Sequence, residues 1–369
     1  MDQERSLGEG SEDVAPPGQW TLHDRRPHDP PALAGEISLR MRYFDVFNGD
    51  ADGICALHQL RMEKPVESTL VTGLKHEIAL LDAVDAGPGD IVTVLDLSME
   101  RNRQALRRLL ARGALVRYYD HHDTGGIPDH EGLVAVIDTS ADTCTSVIVD
   151  GVLHGRFRQW AVVGAFGDNQ HGTAEGLAHA LGLDGRQVAT LRELGEDLNY
   201  NAYGRSEPDV MIAPRELYRI VRRHVSPFDL AAGEPVVHRL KEQRESDLAK
   251  ASCVTPVHSG EGADAWVLPD EDWSRRVSGT LANRLAIDDP SRAHAVLTPI
   301  AGDAYRVSVR SPRGATRASD FCRAFASGGG RACAAGVEEL PRAQLGRFVD
   351  AMERAWGART DRASPQSAG

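Results

Sequence analysis

Tyr43-Phe44-Asp45-Val46-Phe47-Asn48-Gly49-Asp50-Ala51-Asp52-Gly53 is the stretch that decides the fold. An apolar run ends in two carboxylates set between glycines, and a helical segment follows at Gly53–Met62. The pattern recurs along the chain. Ile91-Val92-Thr93-Val94-Leu95 closes on Asp96, Leu115-Val116-Arg117-Tyr118-Tyr119 closes on Asp120-His121-His122, and the apolar run Ala161–Gly167 closes on Asp168. Helical segments fall between the runs at His76–Ala83 and Met99–Ala111. In the second of these, Leu106, Leu109 and Leu110 share one face, and the arginines lie mainly elsewhere. Strands too apolar for one-sided exposure, alternating with helices, imply a parallel sheet covered on both faces. The expected fold class is therefore α/β, built on a doubly wound parallel sheet.

In an open parallel sheet the strand C-termini meet at one crevice, where ligands bind. Four such ends would bring Asp50, Asp52, Asp96, Asp120, Asp168, His121 and His122 together. Carboxylates and imidazoles crowded in one crevice repel each other and lose solvation unless a cation neutralises them. An oxygen-rich set with imidazole and no thiolate suits manganese or magnesium better than a closed structural zinc site. The pattern points to a metallohydrolase. A DxDG tetrapeptide is common in turns, and an aspartate after a strand is often only a helix N-cap. The ordered set of four positions carries the specificity. Gly49 and Gly53 are expected to relax the loop that turns both carboxylates of the first motif toward one cation.

At 369 residues, with 41% hydrophobic and 26% charged residues, the chain can hold two domains with real cores. No apolar run is long enough to span a membrane and the polar N-terminus lacks a signal-peptide core, so no membrane association is expected and the location is read as cytoplasmic. The five cysteines are scattered without a CxxC pair, against both a disulfide framework and a cysteine zinc site. A net charge of −12 argues against affinity for long duplex nucleic acid. Yet residues 304–331 hold six arginines (Arg306, Arg310, Arg313, Arg317, Arg323 and Arg331) against Asp320 alone. A basic stretch in an acidic chain points to a discrete anion site; a solvated charged face is the competing reading.

Residues 1–40 are rich in Pro, Gly, Ser and acidic residues without apolar periodicity, and are expected to form a disordered extension. A catalytic core at 41–180 is followed by a helical subdomain and connector at 181–252. A smaller α/β domain spans 253–357, and a flexible tail ends the chain at 358–369. In the smaller domain, strands at Ala265–Leu268, Ala293–Ile300 and Tyr305–Arg310 accompany a helix near Val277–Ala286. The last two strands read as a hairpin closed by Ala301-Gly302-Asp303. Ser327-Gly328-Gly329-Gly330 reads as a glycine-rich turn, and Arg342–Trp356 as a closing helix.

Asp50-x-Asp52, Asp96 in Leu95-Asp96-Leu97-Ser98, Asp120-His121-His122 and Asp168 resemble the four motifs of the DHH phosphoesterase superfamily. That superfamily includes RecJ-type exonucleases, oligoribonucleases that also dephosphorylate pAp, cyclic-dinucleotide phosphodiesterases and exopolyphosphatases. Val307-Ser308-Val309-Arg310-Ser311, followed by Gly328-Gly329-Gly330-Arg331-Ala332-Cys333-Ala334-Ala335-Gly336, is similar to its DHHA1 substrate-binding domain. The resemblance covers residues 43–345. It implies two Mn2+ ions, with Mg2+ as the alternative. One would be held by Asp50 and Asp96, the other by Asp52, Asp96, His121 and Asp168, with Asp96 bridging. Asp168 would take part in the chemistry as well as in metal binding. His122 would face a phosphate oxygen or the leaving group, and Asp120 would orient an imidazole. Arg310 and Arg331, with the backbone of Gly328, Gly329 and Gly330, would clamp a terminal phosphate. Two positions depart from the pattern: Val46 stands where oligoribonuclease-type members carry a histidine, and Arg331 stands where a histidine usually follows the glycines.

The expected function is manganese-dependent hydrolysis of phosphodiester or phosphomonoester bonds in short nucleotide or oligonucleotide substrates. Oligoribonucleotides, pAp and linear dinucleotides come first, cyclic dinucleotides and polyphosphate behind. The reading leaves room for a homodimer. Two alternatives compete: a nucleotide-sensing module on a degenerate phosphoesterase fold, and a haloacid-dehalogenase phosphatase with Asp50 as nucleophile. The latter wants a threonine or valine where Ile54 stands, and a later lysine, which the chain lacks between Lys75 and Lys241.

Overall fold

The computed structural model describes residues 41–312 and 314–357. The expected N-terminal extension, the tail and Arg313 lie outside the described residues. Strands β1 (Tyr43–Asn48), β2 (Thr69–Gly73), β3 (Ile91–Leu95), β4 (Leu115–Asp120) and β5 (Leu133–Ile137) form one sheet in the order β2-β1-β3-β4-β5, parallel throughout. Alternation along β1 sends Phe44 and Val46 to one face, under helix α2 (Met99–Ala111). Phe47 goes to the other face, under helix α1 (Ala51–Glu63). Both faces are covered, as a doubly wound sheet requires. In α2 the buried leucines and exposed arginines separate as the periodicity predicts. In α1 every residue from Ala51 to Gln59 is buried, because a second helical layer covers its outer side.

That layer consists of α3 (Thr145–Val152), α4 (Arg158–Gly167), α5 (His171–Ala180) and α6 (Gly185–Tyr200). The run Ala161–Gly167 is therefore helix, and Asp168 caps a helix C-terminus instead of closing a strand. A helix buried on all sides and a buried strand have the same composition, and seven residues are too few to separate them by period. The helical region accordingly begins at Thr145, well before the expected boundary at residue 181. The segment His76–Ala83 is helical only as a 3-10 turn at Leu80–Ala83. Strands β2 and β5 had no sequence signal of their own. β2 is partly exposed along most of its length, and β5 is an edge strand with Val134 exposed.

Helices α7 (Pro214–Val221), α8 (Pro227–Gly233) and α9 (Pro235–Ala251) lead into a second sheet. Its strands are β6 (His258–Ser259), β7 (Ala263–Val267), β8 (Ala293–Ile300), β9 (Ala304–Arg310), β10 (Gly328–Gly330) and β11 (Ala334–Pro341), in the order β10-β11-β9-β8-β7-β6. Only β7 and β8 pair in parallel. Helix α10 (Asp272–Asp288) packs on one face, α11 (Ala318–Cys322) and α12 (Leu345–Trp356) on the other. The β8–β9 hairpin closes at Ala301-Gly302-Asp303 as the sequence predicts, with Gly302 and Asp303 at positive φ.

Gly328–Gly330 is an edge strand, not a turn. Gly328, Gly329 and Gly330 pair with Val337, Gly336 and Ala335. A Cβ at Gly328 would overlap the Cys322 carbonyl, and Gly330, at φ 135°, leaves no room beside Ala335. Close backbone approach explains these glycines. The two sheets are joined through α9 and α10, where Arg276 meets Asp247 at 2.9 Å and Tyr200 donates to the same carboxylate at 2.6 Å. Among the described residues, no helix is long and apolar enough to cross a membrane.

Candidate metal centre and cleft

The order β2-β1-β3-β4-β5 reverses direction between β1 and β3, and at that switch point strand C-termini open a crevice. Asp50 and Asp52 follow β1, Asp96 follows β3, and Asp120 ends β4. Asp168 arrives from the far end of α4. All five carboxylates are buried.

Three of them gather round one imidazole. His121 Nε2 lies 3.3 Å from Asp96 Oδ1, 4.0 Å from Asp52 Oδ2 and 3.9 Å from Asp168 Oδ2. Ligands of an octahedral ion at bonds of about 2.1 Å sit about 3.0 Å apart when cis and about 4.2 Å when trans. The observed spacings fall in that range. The His121 Nδ1–H donates to the Thr143 carbonyl at 3.0 Å, which leaves the Nε2 lone pair directed at the carboxylates. Burial, then Arg331 and His122, lowers His121 to about 4, so its ring is neutral at physiological pH and free to offer Nε2 to a cation. Burial and the neighbouring Asp168 and Asp50 push Asp52 up to about 6, and Asp96 is raised well above the usual carboxylate range by burial and by Asp50 and Asp52. Such mutual repulsion is relieved by a cation. The donor set fits a hard divalent ion.

Local structure explains how each group is held. Asp96 adopts a left-handed conformation (φ 57°), which aspartate tolerates better than most residues, and its N–H donates to the Tyr119 carbonyl. Asp52 receives the N–H groups of Thr145 and Ser146 at 2.8 and 2.7 Å, so the N-terminus of α3 steadies its carboxylate. Helix N-capping, which the sequence offered as the plain explanation of Asp96, falls instead to Asp50: its Oδ1 accepts the N–H groups of Asp52 and Gly53 at 3.1 Å each. Gly49 and Gly53 are not at positive φ. A Cβ would overlap the Gly73 carbonyl and Pro214 at Gly49, and the Asn48 carbonyl at Gly53, so packing requires them.

Asp120 and His122 form a separate pair. The His122 Nδ1–H donates to Asp120 Oδ1 at 2.7 Å, and the half-buried ring lines the cleft. Burial opposes the charged imidazole, but the Asp120 carboxylate outweighs it and raises His122 above its ordinary value. The Asp120 carboxylate thus fixes the orientation of the His122 ring.

The second sheet closes the cleft from the opposite side. Arg331 grips Asp168 bidentately, Nη1 to Oδ2 at 2.6 Å and Nη2 to Oδ1 at 2.7 Å, and its guanidinium lies against the His121 ring. Burial disfavours both charges, and the pairing wins: Asp168 is held far below the usual carboxylate range and Arg331 above that of arginine. Arg331 therefore reaches the carboxylates themselves, not only a distal phosphate position. Arg310 lines the cleft, with its Nε–H donating to Asn283. Gly329 and Gly330 line it too; Gly328 packs against α11 instead.

Sequence reading gave no role to Lys75, His76, Tyr203 or Arg205. Lys75 bonds Asp50 Oδ2 and donates to Asn199 Oδ1 at 3.2 Å. Burial opposes its charge, yet Asp50 raises its pKa above the ordinary lysine value. With Arg306, these residues complete a cavity of about 270 Å³ above the carboxylates. Lysine scarcity was the available signal: only four of the 42 basic residues are lysine, and Lys75 stands just beyond β2.

No protein-family model matches the chain, and no curated protein matches it by sequence. Solved structures do. A DHH-domain protein described as a member of a family of ribosomal proteins superposes with a TM-score of 0.58 at 15% identity, over 85% of this chain and 86% of the other. RecJ from Thermus thermophilus in complex with Mn2+ gives 0.57 at 18% identity; 85% of this chain is covered but only 51% of RecJ. Exonuclease RecJ bound to manganese gives 0.55 at 18% identity, over 85% and 89% of the two chains. The fold is that of the DHH-domain proteins.

Proposed function

We propose that the chain is a manganese-dependent phosphoesterase acting on phosphodiester or phosphomonoester bonds of short nucleotide substrates. The observation that carries this reading is the gathering of Asp52, Asp96, Asp168 and His121 beneath a cationic cleft. Structures of like fold, described as exonuclease RecJ bound to manganese and RecJ in complex with Mn2+, support it. A divalent ion held there supplies Lewis acidity and makes water a usable nucleophile near neutral pH.

The remaining chemistry belongs to side chains. His122, whose protonated form the Asp120 carboxylate favours, presents its Nε2–H to the leaving oxygen and donates the proton as the P–O bond breaks. Arg310 and Arg331 offer guanidinium donors to phosphate oxygens, with Gly329 and Gly330 allowing close approach. Tyr203 provides an aromatic face in the same cavity. At about 270 Å³ the cavity sits near the lower end of typical ligand pockets, roughly 300–1,000 Å³. That favours oligoribonucleotides of a few residues, pAp or linear dinucleotides over long duplex. The haloacid-dehalogenase alternative needs Asp50 free to attack phosphorus, whereas Asp50 is committed to the α1 N-terminus and to Lys75.

The test is a hydrolysis panel on chelator-treated protein with Mn2+ restored, read by chromatography. It covers pAp, di- and triribonucleotides, linear and cyclic dinucleotides, polyphosphate and an aryl phosphodiester. Manganese-dependent release of mononucleotide or phosphate is the expected result. Tight nucleotide binding without turnover of any substrate would replace the enzyme reading with a nucleotide-sensing module.

A further inference from the structure

Asp50 is buried and fully engaged. One oxygen caps α1 through two N–H bonds, and the other is bonded to the Lys75 ammonium. The groups whose ligand atoms converge within 4.8 Å are Asp96, His121 and His122, and Asp52, His121 and Asp168; among the described residues, neither set contains Asp50. Strand β1 beneath Asp50 adds no imidazole. Its Asp45 is taken by Arg61 and Ser68, and Val46 is fully buried in the opposite core layer.

Lys75 is anchored at both ends. Its backbone N–H donates to Ala202, and its ammonium reaches Asn199 at 3.2 Å and approaches Asp168 Oδ1 to 3.8 Å. Charge points the same way. Asp120 and His122 pair with each other. With all four ionised, as ligation of a cation would require, Asp50, Asp52, Asp96 and Asp168 carry four negative charges, and Lys75 and Arg331 return two, so one divalent ion would close the balance. A second ion would leave buried positive charge without a partner, which is costly.

We propose that the Lys75 ammonium stands in place of a second divalent ion, so that the centre takes a single ion held by Asp52, Asp96, His121 and Asp168. This rests on reading the site as a metal centre, and it revises the two-ion expectation drawn from the resemblance. Lys75 then supplies fixed positive charge beside the phosphate from the first sheet, as Arg331 does from the second.

The test counts ions on the full-length chain. Protein stripped of metal is titrated with Mn2+ by calorimetry, and bound Mn2+ is examined by electron paramagnetic resonance. One ion per chain with an uncoupled six-line spectrum is expected. Asp50→Asn, which keeps the helix cap, should retain that single ion, at weaker affinity because one compensating negative charge is gone. Lys75→Met should admit a second ion, giving two per chain and an exchange-coupled spectrum. Two ions in the wild type, loss of the ion in Asp50→Asn, or a single ion in folded Lys75→Met would each overturn the proposal. Should Lys75→Met fail to fold, the wild-type count and Asp50→Asn still decide. No ion in the wild type would overturn the metal reading itself, a different failure from finding two.

Discussion

Arg331→Met should tighten manganese binding, although it removes a residue from the cleft. Both Asp168 oxygens are bonded to the Arg331 guanidinium, and one of them is also a candidate metal ligand. Cation and guanidinium therefore draw on the same carboxylate. A hydrogen-bonded contact to a charged group contributes about 1.5–3 kcal/mol net. Asp168 is buried, but the Arg331 side chain is 32% exposed, so solvent screens its charge and the lower end applies. About 1.5 kcal/mol corresponds to roughly a tenfold lower Kd for Mn2+ in the variant. Calorimetric titration of metal-free wild type and Arg331→Met measures it directly. In chelator the variant should melt earlier, because it leaves Asp168 charged with only the more distant Lys75 ammonium as partner, and saturating Mn2+ should close most of that gap. Unchanged affinity in a variant with native circular dichroism would refute the competition. Weaker affinity would show instead that Arg331 holds Asp168 in its ligating position.

Three further outcomes follow from the geometry. Asp96→Asn should abolish Mn2+ binding while leaving the metal-free melting temperature unchanged or higher, since asparagine tolerates φ 57° and a crowded carboxylate is removed; loss of fold would mean that Asp96 is structural. In the proposed chemistry His122 acts as its imidazolium, whose pKa Asp120 raises, so activity present at lower pH is lost as pH rises through that value; Asp120→Asn should move this alkaline limb of the pH–rate profile downward, and an unmoved limb would exclude His122 as the acid. Burial holds His58 at about 4, below the 6.5 of an unperturbed histidine, so the unfolded chain takes up the proton first. Stability fully present above pH 6.5 should fall as pH drops toward 4, and His58→Gln should flatten the decline in thermal melts.

The sheet was legible because four apolar runs of the right length ended in polar punctuation; three of them proved to be strands. The fourth, before Asp168, reached the right place by another route, as α4. The error is instructive: a helix packed on all sides has no polar face, so its period disappears from the sequence and only its apolar content remains. The glycine triplet misled differently. Glycine signals either a turn or a close backbone approach, and at Gly328–Gly330 the neighbours Cys322, at the end of α11, and Ala335, across the ladder, make it the second. The candidate ligands were legible as a set because their order along the chain matches the order of the elements that carry them. Which oxygen serves which partner was not, because that depends on Asn199, Thr145 and Ser146, residues of an entirely different layer.

Lys75 shows most clearly what one-dimensional reading loses. A lone lysine after a short, poorly patterned strand looks like surface, and nothing in its neighbourhood marks it as a partner for Asp50. Its meaning comes from three-dimensional subtraction. Each carboxylate at the switch point must be satisfied, and once the α1 cap, the α3 N-terminus, Arg331 and His121 are assigned, Asp50 Oδ2 still requires a cation. A guanidinium brings a planar fork of five donors, whereas an ammonium is a compact point charge with three, closer in shape to a metal ion. In a chain that writes arginine almost everywhere else, a lysine at this position agrees with the proposal of a single-ion centre. The same geometry explains why the two sheets are both needed. On the single-ion proposal, the first gathers more negative charge than one ion would neutralise, and the second returns the difference through Arg331.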